Sequence, residues 1–424
     1  MIIKGILVML VFLLFSFLML RQKISTYLAL LAMAILIPAV CLVPLSGDKS
    51  ILYVLTSGST KMASSIMALI FGAWLGQIMN ETGITRSLIR TATEFGGDRP
   101  MVLALALSAV VALLFTSLSG LGSTIMVGAL VLPILTAVGI KPAVAAAVFL
   151  FARAVGYNFN LYIWNLFTDV TGLSVDFIKN FGLIVTGISA VLFIAYLIVE
   201  LKIKKVSVAW CPPAEAAPMA TSEKKVPLIA LLTPLIPFPL VIFLKWDIIP
   251  AILAGCIYGA LVADPKHCLQ VWNKAIHEAI KSAAPAIALM ITIGMVVNAV
   301  GLPTVSESIL AIVGPVIPSS PIMYILFFVI LAPLALYRGP LNMFGLGSGV
   351  IAVFVATGSL PAAAIMAAFF ATQVIQQAGD PTNSQNVWAA DFVGIEVNEI
   401  TTRLLPYLWI AAALCIAAGA FMYF

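Results

Sequence analysis

Two arginines and one aspartate stand inside apolar runs. Arg153 follows "AVAAAVFLFA", Arg338 closes "YILFFVILAPLALY", and Asp380 sits in "QQAGDPTNSQNVW" (376–388), directly after "LPAAAIMAAFFATQVI". An ionised side chain in hydrocarbon costs several kcal/mol unless it is paired or hydrated, so such residues mark a pathway or a binding site. Guanidinium forks match carboxylates bidentately. Hydroxyl and amide groups at Ser119, Ser123, Asn158, Asn160, Asn342, Ser348, Gln377, Thr382 and Asn383 would complete a site for a hydroxylated carboxylate. Gly120, Gly122 and Gly347 belong to the same Gly/Ser-rich breaks. Asp380 could ligate Na⁺ through hard oxygens or carry a proton. A bland reading stays open beside this one: the arginines pair with an intramembrane acid, for which Asp380 is the obvious partner, or with helix-end carbonyls, and 376–386 is a surface loop.

The elements that must hold these residues follow from composition. Of 424 residues, 62% are hydrophobic and 9% charged, against about 25% charged in soluble domains; the mean hydropathy is +1.15. Apolar runs of bilayer-spanning length recur from end to end, so the chain is an all-α polytopic membrane protein. Residues 2–20 are followed by "RQK" and no small-residue cleavage site, which reads as a retained helix. The five cysteines are scattered, without metal-ligand or disulfide spacing. The net charge of +5 is explained by loop lysines and arginines rather than by nucleic-acid binding.

An internal repeat organises the runs. "GQIMNETGI" (76–84) matches "GMVVNAVGL" (294–302); "GLGS" recurs at 120 and 345; "DVTGLSVDFI" from Asp169 matches "DFVGIEVNEI" from Asp391. The offsets of 218, 225 and 222 residues keep one order, the kind of internal symmetry transporters carry. The expected division is a first repeat over 1–201, a cytoplasmic linker over 202–226 and a second repeat over 227–424. Asn80 and Asn298, in the shared G-x-x-x-N motif, are expected to bond neighbouring helices.

Breaks inside the runs predict more. "FTSLSGLGST" (115–124) and "YRGPLNMFGLGSG" (337–349) interrupt apolar pairs and predict hairpins over 101–138 and 322–358. Irregular backbone at membrane depth is tolerated only where protein or a wet cavity satisfies it. "FARAVGYNFNLYIWNLFTD" (151–169) and its counterpart at 370–391 predict broken helices over 143–169 and 362–391, whose exposed half-helix ends suit ions. Asp169 and Asp391 are expected to cap these breaks. With five crossings per half, 15 of the 22 Lys and Arg share one side, five lie opposite and two lie at depth. The positive-inside rule makes the crowded side cytoplasmic, which inverts the repeats and puts both termini outside. The basic segment 264–281 is expected along the inner interface.

A Ser/Gly-rich hairpin tip followed by a helix broken at a Pro/Thr/Asn motif, twice and inverted, resembles the ion transporter superfamily, which includes divalent anion/sodium symporters, citrate transporters and gluconate permeases. "SGLGSTIMVGALVLPI" (119–134) looks like the symporters' Ser-Asn-Thr tip with Gly and Leu intruding, and "GDPTN" (379–383) like their Thr-Pro-Pro-Asn break. "FGAWLGQIMNETGITRSLI" (71–89) resembles the early Gly-rich helix of the gluconate permeases, whose His-containing motifs are absent here.

The resemblance implies a secondary active transporter of small organic anions (a sugar acid or a di- or tricarboxylate), coupled to H⁺ or Na⁺, in a bacterial inner membrane. Its expected partners are the anion, the lipid bilayer and a second copy of the chain; no cofactor is expected beyond Na⁺ as a coupling ion. A channel or a cation/proton antiporter of the same superfamily stays open. A membrane-embedded enzyme is disfavoured by the lack of metal-ligand spacing and of G-x-S-x-G.

Overall fold

The computed structural model describes residues 1–21, 23–97, 99–204, 226–318 and 320–424. Most of the expected linker 202–226 lies outside the described residues. Among those described, every regular element is helical, and six helices are long and apolar enough to cross a membrane, or seven if one bent pair counts as a single span. The protein is an all-α polytopic membrane protein.

One series of elements occurs twice. In the first half it runs Ile2–Leu20, Thr26–Val40, Ile51–Thr60 with Ala63–Glu81, and Ile84–Gly96, then a helical hairpin, a broken helix and Val175–Leu197. In the second it runs Leu228–Leu235 with Pro237–Ile242, Ile248–Ala263, Cys268–Val300 and Pro303–Val313, then a hairpin, a broken helix and Val397–Tyr423. Packing recurs with the halves exchanged. Ile2–Leu20 lies on Pro303–Val313 as Leu228–Leu235 lies on Ile84–Gly96, and Cys268–Val300 packs on Thr26–Val40 as Ala63–Glu81 packs on Ile248–Ala263.

The hairpins differ in reach. Pro100–Phe115 and Gly120–Ala137 have 16 and 18 residues, about 24 and 27 Å at 1.5 Å per residue. In the second half Gly347–Thr357 has 11 residues, about 16 Å, roughly half of the hydrocarbon thickness, while Pro321–Leu331, also of 11 residues, runs on through the tighter turn Ala332–Ala335. Pro at the first helical position starts Pro100–Phe115, Pro142–Tyr157 and Pro321–Leu331, where its missing N–H costs nothing.

Both broken helices are punctuated alike. Pro142–Tyr157 and Leu161–Thr171 meet at 57°. Asn160 is the N-cap of the latter, its side-chain oxygen accepting from the Tyr162 amide at 2.9 Å, and Gly172 ends it at φ 73. In the second half Ala362–Ala371 and Gln373–Ala378 give way to Gly379–Asn383. Asn383 then caps Ser384–Val393, which ends at Gly394, φ 72. An Asn cap and a left-handed glycine are the residue types these two positions favour.

The expected interfacial helix over 264–281 is not a separate element. From Cys268 it runs unbroken into a 33-residue helix ending at Val300. At about 50 Å that helix exceeds the hydrocarbon thickness, so its basic first turns need not lie flat. Trp74 donates to the Trp272 carbonyl at 3.2 Å and Lys274 bonds Glu81 at 2.7 Å, which holds those turns against Ala63–Glu81.

Candidate functional site

The tip of the second hairpin is tightly wound. Tyr337 and Arg338 both adopt left-handed backbone, φ 54 and 52, at about 1–2 kcal/mol each for L-residues. A Cβ on Gly345 would strike the Arg338 carbonyl, and one on Gly347 would strike Asn342, so this turn needs glycine at both places. Asp380, from the break of the neighbouring helix, over-determines the strained pair. Its Oδ1 accepts from the Tyr337 amide at 2.9 Å, the Thr382 amide at 2.9 Å and the Thr382 hydroxyl at 2.7 Å. Its Oδ2 accepts from the Arg338 amide at 3.2 Å and from Asn342 Nδ2 at 2.8 Å. The carboxylate is 1% exposed.

The first half makes the same joint with opposite polarity. Asn160 Nδ2, also 1% exposed, donates to the carbonyls of Phe115 and Leu118 at 2.9 Å each, and to Ser119 Oγ at 3.5 Å. Ser123 returns its hydroxyl to the Ser119 carbonyl. Ser119, Ser123 and Asn160 therefore build the joint of the first hairpin.

Between the two joints lies a cavity of about 310 Å³. Arg338, Asn342, Gln376, Gln377, Asp380 and Asn383 supply its polar wall, Gly120 lines one edge, and Tyr157, Tyr162 and Phe344 form an aromatic side. Ser282, Pro285 and Leu289 of Cys268–Val300 close it. A neighbouring cavity of about 730 Å³ shares Pro285, Leu289 and Arg338 and reaches Thr382, Ser25, Thr26 and Asn398. Arg338 thus stands between the two spaces. Its Nη1 donates to the Phe344 carbonyl at 3.2 Å.

Arg153 is placed differently. It is 0% exposed and lies behind the cavity wall, donating from Nε to Thr124 Oγ1 at 3.1 Å and from Nη1 to Gln377 Oε1 at 3.0 Å. The Phe115 and Tyr157 rings cover its guanidinium at 5.2 and 5.0 Å, and Nη2 has no partner. No carboxylate among the described residues lies within 4.0 Å of either Arg153 or Arg338. Asp380 turns to the backbone amides of 337 and 338, so the alternative guanidinium–carboxylate pair does not form, whereas both guanidinium groups reach backbone carbonyls, Arg338 that of Phe344 and Arg153 that of Gln377.

The remaining expected residues scatter. Asn158 points away to Ser189 Oγ at 3.3 Å. Gly122 lies against the Ser282 side chain. Gly347 and Ser348 are buried inside the tip, Ser348 bonding the Gly345 carbonyl. Asp169 caps not its own break but Ala63–Glu81, accepting from the Ser65 amide and hydroxyl; Asp391 is exposed near the end of its helix. Tyr157, Tyr162 and Ser282 line the cavity without having been anticipated, and Gln376 and Gln385 line it as part of the run 376–386 without having been named singly. Gln376 and Gln385 had a signal, since both fall in the polar run around Asp380; the other three read as ordinary helix positions.

No protein-family model matches the chain, and no curated protein matches it in sequence. Solved structures do match. The fold is similar to that of the YdaH transporter of Alcanivorax borkumensis, a structure noted for its unusual topology (TM-score 0.63, 14% identity, 92% of this chain and 97% of that one). It is also similar to Neisseria gonorrhoeae MtrF, which represents a class of antimetabolite efflux pumps (TM-score 0.64, 13% identity, 94% and 95%). The fold is a transporter fold. At this identity the likeness carries architecture alone, and the chemistry rests on the residues above.

Proposed function

We propose that the protein is a secondary active transporter of small organic anions, a sugar acid or a di- or tricarboxylate, working by alternating access between two inverted halves of the ion transporter superfamily type. One observation carries the reading: the Arg338 guanidinium, free of any carboxylate within 4.0 Å among the described residues, faces a concave cavity together with amides of Asn342, Gln376, Gln377 and Asn383. At about 310 Å³ the space lies at the small end of ligand pockets. Arg153 supports the wall electrostatically through Gln377. On this reading the protein sits in a bacterial inner membrane with both termini outside, holds no resident cofactor and acts as a monomer or homodimer.

Asp380 is the element where a coupling ion, H⁺ or Na⁺, would act. Its two oxygens already accept five hydrogen bonds, so a proton or a cation must compete with those donors. Coupling and release of the hairpin tip would then be one event. The test is uptake into proteoliposomes of radiolabelled gluconate, citrate and succinate under a pure H⁺ or a pure Na⁺ gradient with the membrane potential clamped. Saturable, gradient-driven accumulation of one of them is expected. Flux that does not saturate and ignores both gradients would replace the transporter with a channel.

A further inference from the structure

The helix Cys268–Val300 borders a second cavity at its C-terminal end. Ser282, Pro285 and Leu289 face the Arg338 cavity, whereas Val297 and Asn298 line a separate space of about 390 Å³ with Lys49, Tyr53 and Lys61. Leu289 to Val297 is about 12 Å along the axis. Between them Met290, Ile293 and Val296 are at most 1% exposed, and Thr292 is 7% exposed. The two spaces therefore lie about two turns apart along one helix, with Met290, Ile293 and Val296 packed between them.

Close backbone packing builds this second space. A Cβ on Gly58 would come within 2.5 Å of Met295 Cα, and one on Gly294 would strike the Gly58 carbonyl. Only glycine at both positions lets Ile51–Thr60 approach Cys268–Val300 so closely, and the approach lays the Lys61 stem against Gly294 and brings Lys61 and Asn298 to one cavity. Lys49 and Lys61 are exposed, and neither has a carboxylate within 4.0 Å among the described residues. The nearest acids are otherwise disposed. Asp169 feels the Lys61 charge but accepts its hydrogen bonds from Ser65, and Asp48, beside Lys49 in sequence, is exposed.

We propose that this cavity is an anion-collecting vestibule, a site for small organic anions held by Lys49 and Lys61 at the end of the pathway opposite Arg338. The proposal rests on the anion-transport reading. Two ammonium groups around a concave, partly apolar wall concentrate anions by focusing the local field, an effect that weakens as salt rises. Lysine suits the task because it attracts as a point charge without the bidentate grip that would retain the ligand.

The first experiment needs no transport. Pyridoxal 5′-phosphate, an anionic aldehyde, condenses with lysine amines with loss of water, and borohydride traps the imine for peptide mapping. Lys49 and Lys61 should be labelled several-fold faster than the exposed Lys266 and Lys281, and millimolar citrate should slow those two sites more than sodium chloride of equal ionic strength. Equal rates at all four lysines, or equal protection by chloride, would overturn the vestibule.

The second experiment uses oriented proteoliposomes and the labelled anion that the wild type carries best. The double variant Lys49→Gln/Lys61→Gln should raise the half-saturating concentration several-fold for anion added on the lysine face, leave it unchanged on the other face, and keep the maximal rate. Lys49→Arg/Lys61→Arg should restore it. A loss of maximal rate from both faces would mean a structural role and would refute the proposal. If the wild type carries none of the anions while the labelling pattern holds, the transport reading fails and the anion site stands.

Discussion

Asp380→Asn tests the joint on which the site hangs. The amide that replaces the carboxylate has one acceptor oxygen. Turned to keep the Tyr337 amide, the Thr382 amide and the Thr382 hydroxyl, it sets its own N–H₂ against the Arg338 amide and Asn342 Nδ2. Two buried donors then lose their acceptor, at about 1–3 kcal/mol each. Asn342 Nδ2 keeps the Ala335 carbonyl at 2.9 Å, which places the sum in the lower half of the combined range, about 3 kcal/mol. The Arg338 amide has no such reserve, and its left-handed backbone, φ 52, is then free to relax.

The measurement is thermal unfolding of the detergent-purified protein, joined to hydrogen exchange of the peptide spanning 332–347. Asp380→Asn should melt several degrees early and lose protection at 337–338 first. Thr382→Ala, which removes a single hydroxyl bond to Asp380, should cost about 1 kcal/mol and leave the exchange of 338 unchanged. A variant that melts with the wild type and exchanges as slowly at the tip would refute the claim that Asp380 holds the strained turn.

The two arginines should separate. Arg338→Gln is expected to weaken anion binding at least tenfold in a titration while the melting temperature holds, because Arg338 borders two cavities. Arg153→Met removes a buried charge with an unpartnered Nη2 and should be neutral or stabilising in a melt, while anion binding weakens; a strongly destabilised Arg153→Met would show that its bonds to Thr124 and Gln377 outweigh its burial. Gly294→Ala forces two backbones apart and should cost about 1–3 kcal/mol or more, whereas Gly187→Ala, with nothing within 4 Å of the new Cβ, should stabilise its helix by about 0.5–1 kcal/mol; equal melting of the two would remove the close-packing argument. For topology, cysteines at Ser46 and Phe424 should react with an impermeant reagent from outside the cell and one at Lys266 only after permeabilisation. A C-terminus labelled only from inside would overturn the inverted arrangement.

Much of this fold is written locally. Composition sets the class, and Pro, Gly and Asn mark where helices start, break and stop, so the breaks at 158–160 and 379–383 and the hairpin tips could be read from short windows. The cavity could not. Ser282 and Leu289 lie in a helix whose charged beginning reads as a surface element, and packing against Thr26–Val40, Ile51–Thr60 and Ala63–Glu81 is what fixes its place. Arg153 and Arg338 give the same signal in sequence, a cation at the end of an apolar run, yet one is sealed beneath Phe115 and Tyr157 and the other borders open space. Side-chain direction decides that, and nothing local encodes it.

The two joints carry the argument one step further. Both tie a hairpin tip to a helix break, but Asn160 does so as a neutral donor to carbonyls and Asp380 as a carboxylate acceptor to amides. A proton or Na⁺ can compete for the oxygens of Asp380 and has nothing to compete for at Asn160 Nδ2. On the proposed reading, then, only the second hairpin is ion-sensitive, and the repeated architecture becomes chemically one-sided at a single residue.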